Sequence, residues 1–159
     1  MNTILDDQAV IQRVLDHIEQ GTTDRGDQVW HEPVIHYADP ARFDAELAVF
    51  RRFDTPFCTS ASLPEAGSYL ARTAAGTPLV VVRGADGVVR GFRNACRHRG
   101  MTVAQGSGRL RNFYCRYHGW TYNLDGALRQ VPHEDGFPQL DHALHGLVPV
   151  ATIERLGMV

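Results

Sequence analysis

Two short Cys/His pairs constrain this chain more than any other feature. Cys96-Arg97-His98 sets a thiol and an imidazole two positions apart, and Cys115-Arg116-Tyr117-His118 sets them three apart, with sixteen residues between His98 and Cys115. Each pair offers one soft sulfur and one nitrogen donor, so a fold that joins them offers two of each. That set suits either one tetrahedral zinc or a two-iron cluster. The common zinc finger carries both histidines on one helix, whereas here each histidine is tied to a cysteine. A third cysteine, Cys58, has no such partner and is expected to be a small buried apolar side chain in a strand. The odd cysteine count argues against a disulfide framework and fits a reducing cytoplasm.

The surrounding pattern places both pairs at strand tips. Short β-rich runs occur at Tyr69–Thr73, Leu79–Arg83, Val88–Asn94, Arg111–Cys115, Thr121–Asn123 and Leu147–Thr152. Gly84-Ala85-Asp86-Gly87 and Asn123-Leu124-Asp125-Gly126 read as tight turns between them. Gly100 and Gly119 close the two pairs, where a glycine lets the backbone curl and aim N–H groups at sulfur. Two helices precede the strands. The first runs from about Asp7 to Gln20, with Ile11, Val14, Leu15 and Ile18 on one face, Asp6 or Asp7 as its cap and Gly21 as its stop. The second runs from about Pro40 to Arg52, with Asp39 as cap and a Phe43, Leu47, Phe50 stripe. The expected fold is mainly β and antiparallel over residues 56–159, with a helical N-terminal extension over residues 1–55.

Composition narrows the function. Of 159 residues, 43% are hydrophobic and 21% charged, which excludes a disordered chain. No apolar run is long enough to span a membrane, and the N-terminal residues lack the basic region of a secretory signal. The expectation is a cytoplasmic protein with no membrane partner. The final Gly157-Met158-Val159 reads as the start of a further strand, as in a chain cut rather than finished. All 16 basic residues are arginine, and their distribution is uneven. Residues 1–65 carry 12 acids and 5 arginines, a net −7, while residues 83–116 carry 8 arginines and one acid, a net +7. Such a stretch is suited to an acidic protein partner. Acids dominate elsewhere and no pattern of base-stacking aromatics accompanies the arginines, so nucleic acid is not the expected partner. Asp27, His31 and His36, and again Asp141, His142 and His145, have some metal-like spacing. Pro33 breaks the first set and both lie in polar loops, so they are expected to be solvated surface groups.

Asn94-Ala95-Cys96-Arg97-His98-Arg99-Gly100 and Cys115-Arg116-Tyr117-His118-Gly119-Trp120-Thr121-Tyr122 resemble the two cluster-binding boxes of Rieske proteins. The Cys-x-His-Arg-Gly and Cys-x-Tyr-His-Gly-Trp forms resemble most closely those of ring-hydroxylating oxygenase α-subunits, over roughly residues 40 to 159. The resemblance implies an antiparallel Rieske β-sandwich. It implies a [2Fe-2S] cluster with Cys96 and Cys115 on one iron and His98 and His118 on the other. It also implies electron transfer from a ferredoxin or flavin reductase to a mononuclear Fe(II), held in an oxygenase catalytic domain or neighbouring subunit outside this chain. A free-standing Rieske ferredoxin and a zinc-binding structural module are the alternatives. The respiratory Rieske branch has a disulfide where this chain has Met101 and Tyr117, and a hydroxyl where it has Trp120. Both departures imply a potential toward about −150 mV, the low end of the Rieske range. Arg93, Arg97, Arg99 and Arg116 flank the boxes, Trp120 and Tyr122 are candidates to shield the cluster, and Tyr122 is a candidate hydrogen-bond donor to sulfur.

Overall fold

The computed structural model describes residues 5–159, in two compact units, one ending at Asp39 and one spanning Pro40–Val159. Helix α1 covers Asp7–Gln20. The Asp6 carboxylate accepts the Ala9 N–H at 2.8 Å, and Gly21 ends the helix in the left-handed region. Asp24 folds back on it, accepting from Arg13 Nε at 2.8 Å and lying 3.0 Å from His17 Nε2. The periodic face is real but uncovered: Ile11, Val14, Leu15 and Ile18 are all more than half exposed.

In the larger unit α2 covers Pro40–Arg52, beginning at the proline whose fixed φ suits a first helical position. Eight strands follow: β1 Ser68–Ala74, β2 Thr77–Arg83, β3 Val89–Arg93, β4 Gly106–Arg109, β5 Phe113–Tyr114, β6 Thr121–Tyr122, β7 Leu128–Gln130 and β8 Pro149–Val150. They form a five-stranded sheet in the order β4-β1-β2-β3-β8 and a three-stranded sheet in the order β5-β6-β7. Every pairing is antiparallel, as expected of a mainly β domain. Strand β2 shows why its apolar run is unbroken. Val80 and Val82 enter the main core with Phe92, Phe113, Tyr122 and Leu128, while Val81 faces a second cluster with Phe57, Leu63 and Val89. Side chains alternate across a strand, so a run apolar on both faces needs both faces covered.

The two anticipated turns form. Gly84 N–H donates to Val88 O at 2.8 Å between β2 and β3, and Gly126 N–H to Asn123 O at 3.0 Å between β6 and β7. Gly126 has φ +88°, and a Cβ there would fall 2.4 Å from the Phe92 ring, so both backbone and packing demand glycine.

Several expectations need correcting. Strands β4 and β7 were not anticipated. Gly106-Ser107-Gly108-Arg109 has no β-branched or aromatic residue, and it is a strand because β1 supplies its partners, from Ser68↔Arg109 to Ala71↔Gly106. Leu128–Gln130 is too short to show an alternation. The runs Arg111–Cys115 and Leu147–Thr152 shrink to the two-residue strands β5 and β8. Cys58 lies in an extended stretch outside the named strands and is only half-buried. Its N–H and C=O are both bonded to Val159, and the neighbouring Thr59 bridges Met158.

Candidate metal centre

The two Cys/His pairs fold into nearly the same turn. Cys96 N–H donates to Met101 O at 2.7 Å and Gly100 N–H to Cys96 O at 2.9 Å. In the second turn Cys115 N–H donates to Trp120 O and Gly119 N–H to Cys115 O, both at 2.9 Å. In each case the cysteine bonds the residue five positions on and accepts from the glycine four positions on. Gly100 and Gly119 take φ +72° and +75° to close the ring. A Cβ on Gly119 would also come within 2.8 Å of Pro132 Cγ. The histidine is the third residue of one turn and the fourth of the other, which explains the unequal spacing in the sequence.

Buried groups fix both turns. Asn94, at the end of β3, accepts from Val103 N–H at 2.9 Å and Ala104 N–H at 3.1 Å, and donates to Ala104 O at 2.8 Å. It therefore staples the chain entering the first turn to the chain leaving it. Tyr122, fully buried on β6, places its hydroxyl 3.1 Å from Cys96 Sγ and accepts the Arg97 N–H at 3.0 Å. Its expected bond toward sulfur is present. Burial, then the bond with Cys96, pushes the Tyr122 phenol far up, so it stays a neutral O–H.

The donors separate by depth. Cys96 and Cys115 are 3% and 2% exposed and belong to the main core. Burial pushes the Cys96 thiol up and the neighbouring Cys115 adds to the shift, with Tyr122 acting against it. Paired thiols in so dry a place give up their protons to a metal cation rather than to water. The two imidazoles lie with ring centroids 4.7 Å apart. His98 is half-buried and stacks on Trp120 at 5.1 Å and 8°. Its Nδ1 is buried with no hydrogen-bond partner among the described residues. Burial first, then the His118 and Arg99 charges, push the His98 imidazole down, keeping it neutral with a lone pair to offer. His118 is exposed, under a stacked Tyr117 ring at 3.7 Å.

This donor set fits a two-iron cluster: two sulfurs in the core, two imidazoles side by side nearer the surface, and an orphaned ring nitrogen that lacks only a metal. Among the described residues no three His, Cys, Asp or Glu converge to hold one ion, as a four-ligand zinc requires. The remaining metal-like sets are engaged otherwise, and His142 and His145 are half-buried rather than solvated, with the His145 ring edge-on to Trp120 at 6.3 Å. His31 is exposed, His36 lies 2.5 Å from Glu32, and His142 Nε2 lies 2.8 Å from Glu134.

A cleft of about 490 Å³ opens beside the imidazoles, walled by Tyr114, Arg116, Pro132, His133 and Phe137. His133 and Phe137 belong to a strap, residues 131–146, that contains neither Cys/His box. Phe137 was missed in the sequence; its one signal is a lone aromatic ring in a polar Pro/His/Asp/Gly stretch. Among the described residues no helix is long and apolar enough to cross a membrane.

A small antiparallel β-domain presenting two sulfurs and two imidazoles on matched turns defines a class of iron–sulfur protein, and comparison with known proteins agrees. Residues 53–148 match the Rieske [2Fe-2S] domain. The chain is 33% identical over 135 residues to the carnitine monooxygenase oxygenase subunit of Acinetobacter baumannii, covering 84% of this chain and 36% of that protein. It is 37% identical over 107 residues to the biphenyl 2,3-dioxygenase subunit alpha of Rhodococcus jostii, covering 65% of this chain and 23% of that one. Naphthalene 1,2-dioxygenase from a Rhodococcus species superposes with a TM-score of 0.74 at 29% identity, covering 98% of this chain and 35% of the other.

The chain therefore belongs to the Rieske [2Fe-2S] domain family, is homologous to Rieske oxygenase α-subunits, and has a [2Fe-2S] cluster as its implied cofactor. That sets the zinc module aside. The chain spans about a third of the length of the carnitine monooxygenase subunit.

Proposed function

We propose that this chain accepts single electrons on a [2Fe-2S] cluster and delivers them to the mononuclear non-haem iron of an oxygenase. Cys96 and Cys115 would hold one iron, and His98 and His118 the other. Residues 56–159 form the cluster domain in this reading, and residues 1–55 a helical extension. What supports it is that matched turns present two core sulfurs and two imidazoles 4.7 Å apart, one of whose nitrogens is buried without a partner among the described residues.

Bound, the cluster supplies one-electron chemistry at a potential raised by exchanging two thiolates for neutral imidazoles. The chain's residues do the rest. With Cys96 bound as a thiolate, the Tyr122 hydroxyl 3.1 Å away would donate to its Sγ and favour the more negative, reduced state. Trp120, 3% exposed, closes one side of His98 to water. His118, exposed at the cleft, is the route for electrons in and out. Arg97, Arg99 and Arg116 are exposed around the turns and make a cationic rim suited to an acidic donor such as a ferredoxin or a flavin reductase. The acceptor is the oxygenase catalytic domain or a neighbouring subunit, the place of action is the cytoplasm, and neither nucleic acid nor membrane takes part.

The test is direct. The purified chain reconstituted with iron and sulfide is expected to be red-brown, to hold two irons and two sulfides, and to give a Rieske-type spin-resonance signal on reduction. A colourless preparation holding one zinc per chain would overturn the proposal.

A further inference from the structure

We infer that Phe137 is a positioning residue for the cluster site, wedged from a third loop against both the His98 imidazole and the Trp120 indole and keeping water off that side. The inference rests on the cluster-binding reading above. The Phe137 ring meets His98 at 5.5 Å and 87°, and Trp120 at 5.7 Å and 79°. The three rings thus form a triangle, the indole parallel to the imidazole and the phenyl ring edge-on to both, a preferred edge-to-face geometry. Phe137 packs on the main core, so its ring is not free to swing away.

The strap that carries it is braced by bonds of its own and anchored at β7 and just past its end. Phe137 N–H donates to Glu134 O at 2.8 Å, Asp141 accepts from Ala143 N–H at 2.8 Å, and Leu147 N–H donates to Gly126 O at 2.8 Å. His142 bridges the strap to β7, with Nε2 2.8 Å from Glu134 and Nδ1 3.3 Å from Leu128 O. The strap also packs on the second turn, through Pro132 beside Gly119 and His145 edge-on to Trp120 at 6.3 Å.

The consequence is an asymmetry between two chemically identical donors. His118 is exposed, whereas His98 is half-buried with an indole and a phenyl ring packed against it. With the cluster bound, reduction would add negative charge to the site that His98 helps to hold. An apolar ring stabilises that charge less than water does, so Phe137 holds the potential down. Removing the ring admits water and moves the potential upward.

The experiment uses the cluster-loaded chain as wild type, Phe137→Ala, Phe137→Leu, Phe137→Tyr and Leu144→Ala. Leu144 lies on the same strap, 70% exposed, and serves as the control. Redox titrations followed by visible circular dichroism and spin resonance give the potential and the signal shape, and an iron chelator gives the rate of cluster loss. F137A, which opens the most room for water, is expected to shift the potential positively, and F137A and F137L both to alter the g anisotropy and lose the cluster about tenfold faster. F137Y is expected to restore all three, and L144A to match wild type. If F137A fails to fold, F137L decides through signal shape and cluster loss, since it removes the edge-to-face ring contact but keeps an apolar side chain in place. Wild-type signal shape and cluster retention in F137L, or an equal change in L144A, overturn the inference. A wild-type chain that takes up no cluster overturns the proposed function instead.

Discussion

The bond between Tyr122 and Cys96 can be tested quantitatively. In Tyr122→Phe the ring stays in the core, the contact to Cys96 Sγ at 3.1 Å is lost, and the Arg97 N–H loses its acceptor at 3.0 Å. A hydrogen bond to a charged group contributes about 1.5–3 kcal/mol, and only the part that differs between the oxidised and reduced sulfur moves the potential. Taking that part as about 1 kcal/mol, and a tenfold change in a one-electron equilibrium as about 59 mV, the potential falls by about 40 mV. The phenol's raised pKa keeps it a donor across the working range, so the shift is expected to be the same at pH 6 and pH 8. The orphaned Arg97 N–H adds a stability loss of about 1–3 kcal/mol, readable by thermal melting. Spectroelectrochemical titration of the two proteins side by side is the assay. A folded Y122F whose potential is unchanged or higher than wild type would refute the reasoning.

Three further outcomes are expected. Glu154 is held at about 2, from an ordinary 4.5, chiefly by its bond to Arg83 at 2.7 Å. A carboxyl with a depressed folded value stabilises above its unfolded value and loses that contribution as pH falls through the folded one. Wild type therefore loses melting temperature between about pH 4.5 and pH 2, and Glu154→Gln flattens that part of the profile; parallel slopes in the two proteins would contradict it. Gly126→Ala forces a Cβ to 2.4 Å from the Phe92 ring at φ +88° and is expected to cost about 2–3 kcal/mol in denaturant unfolding. His118→Cys is expected to retain iron but adds a thiolate, lowering the potential and replacing the Rieske spectrum; an unaltered spectrum would remove His118 from the ligand set.

The parts of the fold that could be read from sequence are those fixed by neighbouring residues. Helix α1 is bounded by Asp6 and Gly21 through local bonds, so an expected span of about Asp7 to Gln20 matches the observed one and only the choice between Asp6 and Asp7 as cap needed the structure. The β2–β3 turn follows from Gly84 and Gly87 in the same way. Strand β4 was not legible because Gly106–Arg109 becomes a strand only in the presence of β1, about forty positions earlier. The same division holds at the candidate centre. Cys96, His98, Cys115 and His118 declare themselves by chemistry, and Tyr122 by its place in the second box. Phe137 meets His98 from 39 positions away with no motif around it, and Asn94 reveals its role only once Val103 and Ala104 return to it. Apolar periodicity also says which residues share a face but not what covers it: the α1 stripe is uncovered.

The depth of the two cysteines ties manufacture to architecture. Their sulfurs sit in the same apolar mass as Phe113, Tyr122 and Val80, which joins the two sheets. On the proposed ligand set, metal-free and metallated chains are two positions of one folding equilibrium, because the unfolded chain has no preformed place for the cluster. Iron scarcity would then lower the quantity of intact polypeptide as well as its conductance, since a chain left without its inorganic core spends more time open to proteases.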